Sequence, residues 1–310
     1  MNNTSNQHRY YTLNNYLFQK YSKKVFKVAL NGDFSCPNRD GKTSYHGCLY
    51  CSEKGSGDFA GDKNANLKDQ FDSVRTTIHK KWPNAKYIAY FQANTNTYGS
   101  LHKIKTLFEE ARLLHEDIVA ISIATRPDCL EDDIISYLAD LNKRIPVWIE
   151  LGLQTIHEKT AKIINRGHDL QCFTDAVRKL RKNNIDVITH IINGLPNETK
   201  EMMLATVNYL NTLDIQGIKI HSLFLLKNTI MGDMYLKKPW NLLTLEDYVE
   251  IVVEQLALLN PNIVIHRLSG DAPKDLLIAP EWGLKKFVVM NEIDKLMKEK
   301  QLFQGCLYNK

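Results

Sequence analysis

The chain is poor in several things that would have fixed its class at once. No apolar run approaches the roughly 18 residues needed to span a bilayer, which argues against a membrane protein. The N-terminal stretch "MNNTSNQHRYYTLNNYLF" is polar and has no apolar signal-peptide core, which points to the cytoplasm. No low-complexity or linker-like segment divides the 310 residues, so one domain is expected over 1–310. Strong charge of one sign is also missing. The 40 Lys and Arg against 35 Asp and Glu give a net charge of +5, which suits a nucleic-acid partner without requiring one. Cysteine is scarce, with six in the chain, and in a reducing compartment clustered thiols suggest metal or redox chemistry before disulfides.

What is present is a regular alternation. Apolar, β-branched runs recur at 24–30, 86–92, 117–125, 146–153, 186–192 and 217–224. They are apolar on both faces, as parallel strands covered by helices are. Helical patterns fall between them at 101–115, 131–142, 172–184 and 200–213. The pattern predicts an α/β fold built on one parallel, barrel-like sheet. A helix at 244–259, a short strand at 262–268 and a closing helix near 284–300 read as additions to it. In such barrels the chemistry lies where strands end and loops begin.

The loop after the first strand, "GDFSCPNRDGKTSYHGCLYC", holds half of the cysteines in a C-x11-C-x2-C spacing: Cys36, Cys48 and Cys51. Three thiols are one short of a closed structural zinc site. An iron–sulfur cube held by three thiolates keeps one iron open to bind something else. Cys129, Cys172 or Cys306 are the only thiols left to complete a zinc site. They read instead as part of a strand-end loop, a helix start and the C-terminal tail.

With its aromatic residue before the last cysteine ("CLYC"), this loop resembles the radical S-adenosylmethionine (SAM) superfamily. The resemblance implies a partial (β/α)6 TIM-like barrel, with a core over about 24–270 and short terminal extensions. It implies a [4Fe–4S] cluster on Cys36, Cys48 and Cys51, with SAM on the open iron and Tyr50 near the adenine. "FQANTNTY" stands where the superfamily often has a glycine-rich segment, so Gln92, Ala93, Asn94 and Thr95 are implied as SAM contacts. In "IATRPD", Ala124 replaces a glutamate of elongator-like relatives. "IELGLQT…NRGH" implies Gln154 at the ribose, Arg166 at the carboxylate through a bidentate guanidinium, and Glu150 as a further strand-end contact. His190 in "HIINGLP" stands where some relatives carry an acidic SAM contact; read alone it is a core histidine. Lys219, His221 and Lys227 on the sixth strand face either substrate or solvent.

"CPNRDG…CLYC", "TRPDCL", "ELGLQT" and "HIINGLP" together resemble the stand-alone YtqA/YhcC (MnmL-like) branch, related to the catalytic subunit of the elongator complex. About forty residues follow Asp271, too few for the acetyltransferase domain of that subunit. The branch implies a tRNA-modifying enzyme. It converts wobble 5-carboxymethylaminomethyluridine to 5-aminomethyluridine through a 5′-deoxyadenosyl radical, and a methyltransferase then acts on the product. The implied partners are the tRNA anticodon loop and an electron donor such as flavodoxin or ferredoxin. Two other readings stay open: a radical SAM oxidoreductase acting on a small molecule such as a porphyrinogen, and a non-catalytic zinc-bound RNA-binding module.

Overall fold

The structure is a computed structural model and describes residues 9–55 and 57–309. The first eight residues of the polar N-terminal stretch lie outside the described residues. The chain starts with α1 (Leu13–Tyr21) and then alternates: β1 (Val25–Leu30), α2 (Leu67–Lys81), β2 (Lys86–Phe91), α3 (Leu101–Leu113), β3 (Ile118–Thr125), α4 (Asp132–Asn142) and β4 (Val147–Gln154). It continues through α5 (Glu158–Ile163), α6 (Leu170–Lys182), β5 (Asp186–Asn193), α7 (Lys200–Leu210) and β6 (Gly217–Ser222). The last part holds β7 (Leu225–Leu226), α8 (Ile230–Lys237), α9 (Leu245–Leu258), β8 (Val264–Arg267), β9 (Leu277–Ala279) and α10 (Lys286–Glu299).

Seven strands form one parallel sheet in the order β1-β2-β3-β4-β5-β6-β8, curled into a half-barrel. The short strand expected at 262–268 is therefore not an appendage. As β8 it extends the main sheet, pairing with β6 through Gly217↔Val264 and Ile218↔Ile265. Helices α1, α2, α5 and α8 are not expected from the sequence. Helix α2 buries only Leu67, Gln70 and Phe71 among 15 residues, so its apolar stripe is too thin to read. Helix α8 has only eight residues. Among the described residues, no helix is long and apolar enough to cross a membrane.

Residues two apart on a strand face the same side, and this sorts the concave face into layers. Val25, Ile88, Ala120, Trp148 and Ile188 make an apolar floor, packed with Leu17 of α1. Helix α1 closes that end, and Ile265 N–H donates to Tyr11 O at 2.8 Å to fix it to β8. Two residues further along the same strands stand Lys27, Tyr90, Ser122, Glu150 and His190, so polarity begins one layer above the floor. The outer face packs on α2, α3, α4, α6, α7, α9 and α10 through the main core, which includes Phe71, Phe108, Leu138, Phe173, Val207, Val252 and Val289.

Helix α8 closes over the cysteine loop: Met231 N–H donates to Leu49 O at 3.0 Å. Gly232 lets it approach, because a Cβ there would lie 2.0 Å from the Leu226 carbonyl oxygen. Backbone cannot yield as a side chain can. Gly232→Ala is expected to cost about 1–3 kcal/mol, read as a lower urea midpoint with unchanged m-value. An unchanged midpoint would mean that α8 is not packed tightly against β7.

Candidate active site

Residues 31–66 join β1 to α2 and carry the three cysteines over the C-terminal ends of the strands. The loop has no regular structure, so other groups satisfy its backbone. Asn38, fully buried, donates through Nδ2 to Asn165 O at 2.6 Å and faces Cys48 Sγ at 3.6 Å. Asn165 returns the bond, donating to Gly47 O at 2.7 Å. Leu49 N–H donates to Ile164 O at 3.0 Å, and Arg39 donates to the carbonyls of Ser52 and Glu53. The turn after α5, "INRGH", thus holds the cysteine loop from below.

Cys36, Cys48 and Cys51 are half-buried and all line one cavity of about 280 Å³. A hydrogen bond from Cys51, helped by the Arg126 charge, pulls the Cys48 thiol down to about 6 against its burial. Cys129, Cys172 and Cys306 do not line the cavity. Burial pushes Cys129 up to about 12 and Cys172 up to about 11, so both stay protonated. Among the described residues, no three His, Cys, Asp or Glu side chains are placed to hold a single metal ion. A zinc ion needs its thiolates on one centre at about 2.3 Å, whereas a cube places each thiolate on a different iron. The residues fit the cluster: three thiols face an open polar cavity. His221 Nε2 is buried there without a partner, so polar capacity is left for a ligand.

Tyr50, Gln92, Asn94, Thr95, Glu150, Gln154, Arg166 and His190 all line the same cavity. Ala93 does not. It is 2% exposed and packs against Gly57, where a Cβ would come within 2.5 Å of its own. Its role is to let the two loops close together. Asn94 and Gln154 both adopt left-handed backbone, at φ +58 and +62, and the β4–β5 register shifts between Gly152 and Gln154. Such conformations cost energy in non-glycine residues and concentrate at functional sites. Here they turn two side chains toward the cavity rim.

Arg166 departs from expectation. It is 1% exposed, and its guanidinium is already committed. Nε donates to His168 O, Nη1 to Leu153 O and Thr155 O, and Nη2 to Glu158 Oε1. The fork braces the end of β4 against the "NRGH" turn, so it is not free to grip a carboxylate bidentately. Arg126 makes a second brace, donating to Arg166 O at 2.7 Å while pairing with Asp128.

The centre of the cavity was only partly legible in sequence. Glu150, buried in mid-strand, accepts from Lys27 and from Ser122 (2.8 Å) on Oε1, and from Lys219 and His190 (2.9 Å) on Oε2. Lys219 also donates to Tyr90 OH at 3.1 Å, and both lysines lie over the Tyr90 ring. Burial outweighs the lysines as a single influence on Glu150, yet Lys219, Lys27 and His190 together hold its carboxyl well below the usual range. Burial, then the neighbouring Lys219 charge, pushes His190 down to about 4, so it is a neutral donor. Lys219 falls to about 7, chiefly through burial. Lys27, Ser122, Tyr90 and Arg267 had no sequence assignment. A charge inside an otherwise apolar strand, as Lys27 in "VFKVAL", is a local signal, though it does not say which way the side chain points; Ser122 and Tyr90 carry no such signal. Lys227 lies outside the cavity, donating to Asp275 O at 3.1 Å.

Comparison with known proteins agrees with this geometry. Residues 43–210 match the Radical SAM superfamily and 215–299 the Radical_SAM C-terminal domain. The chain is 48% identical to the uncharacterized protein YtqA of Bacillus subtilis over 307 residues, 99% of this chain and 95% of that protein. It is 33% identical to protein YhcC of Escherichia coli K12, covering 91% and 90%. More distantly it is 23% identical to the tRNA uridine(34) acetyltransferase of Methanocaldococcus infernus, over 64% of this chain and 38% of that one. The solved structure of Elp3 from the same archaeon superposes with a TM-score of 0.66 at 18% identity, covering 91% of this chain and 64% of that one.

Two outcomes test the site. Arg166→Ala would orphan three carbonyls and is expected to cost at least about 3 kcal/mol, seen in urea unfolding. A variant of unchanged stability with selectively weaker SAM binding would return the guanidinium to the ligand. The second concerns pH. His190 is depressed in the folded state from 6.5 to about 4, so its contribution is present above pH 6.5 and lost as pH falls toward 4. Wild-type stability should decline across that window, and His190→Gln should flatten the decline. Parallel curves for the two proteins would show that His190 is not held neutral.

Proposed function

Because the chain belongs to the radical SAM superfamily, in the YtqA/YhcC group related to Elp3, we propose that it modifies the wobble uridine of tRNA, converting 5-carboxymethylaminomethyluridine to 5-aminomethyluridine. The observation that carries the radical SAM chemistry is the set of three cysteine thiols on the wall of a polar cavity at the strand ends. The tRNA assignment draws support from the relative whose name places its action on uridine 34 of tRNA.

Cys36, Cys48 and Cys51 would each hold one iron of a [4Fe–4S] cluster. When bound, the reduced cluster and SAM supply a 5′-deoxyadenosyl radical, which takes hydrogen atoms. Gln92, Asn94, Thr95 and Gln154 on the rim, with Tyr50 beside the last cysteine, would position SAM. Asn38, Arg39 and Asn165 hold the loop in place, and the close fit of Ala93 with Gly57 helps to shut it from water. The substrate reacts at the carboxymethyl CH2, whose radical is stabilised by the adjacent nitrogen lone pair. Loss of a hydrogen atom and then one electron, taken up by a one-electron iron–sulfur acceptor, leaves a C=N bond and a proton. Water adds across that bond, and C–N cleavage releases the amine on the uridine and glyoxylate. A flavodoxin- or ferredoxin-type donor in the cytoplasm would supply electrons, and a methyltransferase would act on the new amine. The wobble base is single-stranded and can be splayed into such a cavity.

Nucleoside mass spectrometry tests the reading. Reconstituted protein with SAM and reductant is given tRNA from cells lacking the gene. 5-Aminomethyluridine should rise as the carboxymethylaminomethyl form falls. Cys36→Ala, Cys48→Ala and Cys51→Ala should lose the iron–sulfur absorbance and all conversion, whereas Cys172→Ala keeps both. SAM consumption without change in that nucleoside pool, alongside turnover of a porphyrinogen or another small molecule, would overturn the tRNA assignment.

A further inference from the structure

The deep end of the cavity carries more cation than its own carboxylates neutralise. Lys27, Lys219 and Arg267 stand against Glu150 and Asp271. Asp271 is shared: it lies 3.5 Å from Arg267 but 3.0 Å from Lys286, which is outside the cavity. Glu150 is saturated, with two donors on each oxygen. It has no lone pair free for a ligand cation. Lys219 is 6% exposed and donates to Glu150 and Tyr90 OH, which leaves its third N–H unassigned. One further group on the same face of that strand is buried without a partner and lines the same space: His221 Nε2. An unpartnered imidazole beside a lysine with a spare N–H is expensive unless a ligand satisfies it.

We propose that Lys219, His221 and Arg267 form the receptor for the carboxylate of the substrate's carboxymethyl group. The inference rests on the wobble-uridine reading and assigns the groups that select its substrate. Three donors of this kind suit a small planar anion. The carboxylate is the only anion on the modified base; the phosphates stay on the backbone when the base enters. Holding the carboxylate deep in the barrel leaves the adjoining CH2 on the side of the cysteine loop, where hydrogen is removed. Glu150 then has a positioning role, since it fixes the lysine that meets the substrate. The product, a primary amine without the carboxylate, loses this anchor and would repel Lys219, which favours its release.

The test uses the reconstituted full-length protein and two anticodon stem-loops that differ only at the wobble substituent: 5-carboxymethylaminomethyl, or 5-methylaminomethyl, which lacks the carboxylate. Wild type should bind the first at least about tenfold more tightly. In Lys219→Met that preference should fall to about twofold or less, with SAM affinity retained. His221→Leu, the milder change, should lower it about threefold, and serves should Lys219→Met prove unstable. An unchanged preference in the folded variants overturns the proposal. So does loss of SAM binding in parallel, which would assign the anion site to the SAM carboxylate. Conversion of the modified tRNA by wild type with preference intact in both variants defeats only this inference. Failure of wild type to convert that tRNA at all defeats the wobble-uridine reading, and the receptor with it.

Discussion

One buried carboxylate organises the interior of the half-barrel. Glu150 on β4 holds Lys27 of β1, Ser122 of β3, His190 of β5 and Lys219 of β6 through its two oxygens. Five of the seven strands of the sheet therefore meet at one side chain. Burying charge in this way is a poor route to stability, because desolvation consumes most of what pairing returns. What it offers is geometry. A curled sheet that does not close has no ring of hydrogen bonds to fix its curvature, and converging donors from both arms of the sheet supply that constraint from inside. The apolar floor beneath, sealed by α1, lowers the local dielectric and makes each of these contacts stronger and each omission costlier.

The same layering separates the tasks of the site. Apolar side chains close one end, the charged layer occupies mid-barrel, and the neutral polar residues Gln92, Asn94, Thr95 and Gln154 stand at the rim under the cysteine loop. That loop is irregular, so its shape depends on what lies under it. Asn38 within the loop, Asn165 and Arg166 in the turn after α5, and Arg126 at the end of β3, which donates to Arg166 O, provide this support. The cysteine loop thus rests on a rigid scaffold while its thiols remain half-exposed. In this structure the Arg166 guanidinium is occupied in bracing the end of β4.

Much of this was legible in the sequence. Periodicity alone located the six strands and most of the helices, because strands buried on both faces are apolar throughout. The C-x11-C-x2-C spacing, the aromatic at Tyr50 and the strand-end motifs marked the cavity wall, because local motifs keep their order along the chain. Less legible were features set by partners distant in sequence. Lys27 and Glu150 are 123 residues apart, and nothing local tells a lysine that pairs inward from one that points to solvent. The place of β8 in the main sheet depended on its neighbour β6, and the weak amphipathicity of α2 hid it.

The sequence by itself determined the class of the protein and singled out its cysteine loop, since both follow from residue types at fixed spacing. Only the tertiary structure decided which polar side chains do which work. It turned Arg166 into a brace by surrounding it with carbonyls, and placed Ala93 behind the rim against Gly57. It also brought Lys219 and His221 into the cavity that the cysteines line. The reason is physical: a side chain's role depends on its burial and on the partners that fill its hydrogen-bonding capacity, and both are properties of the folded chain.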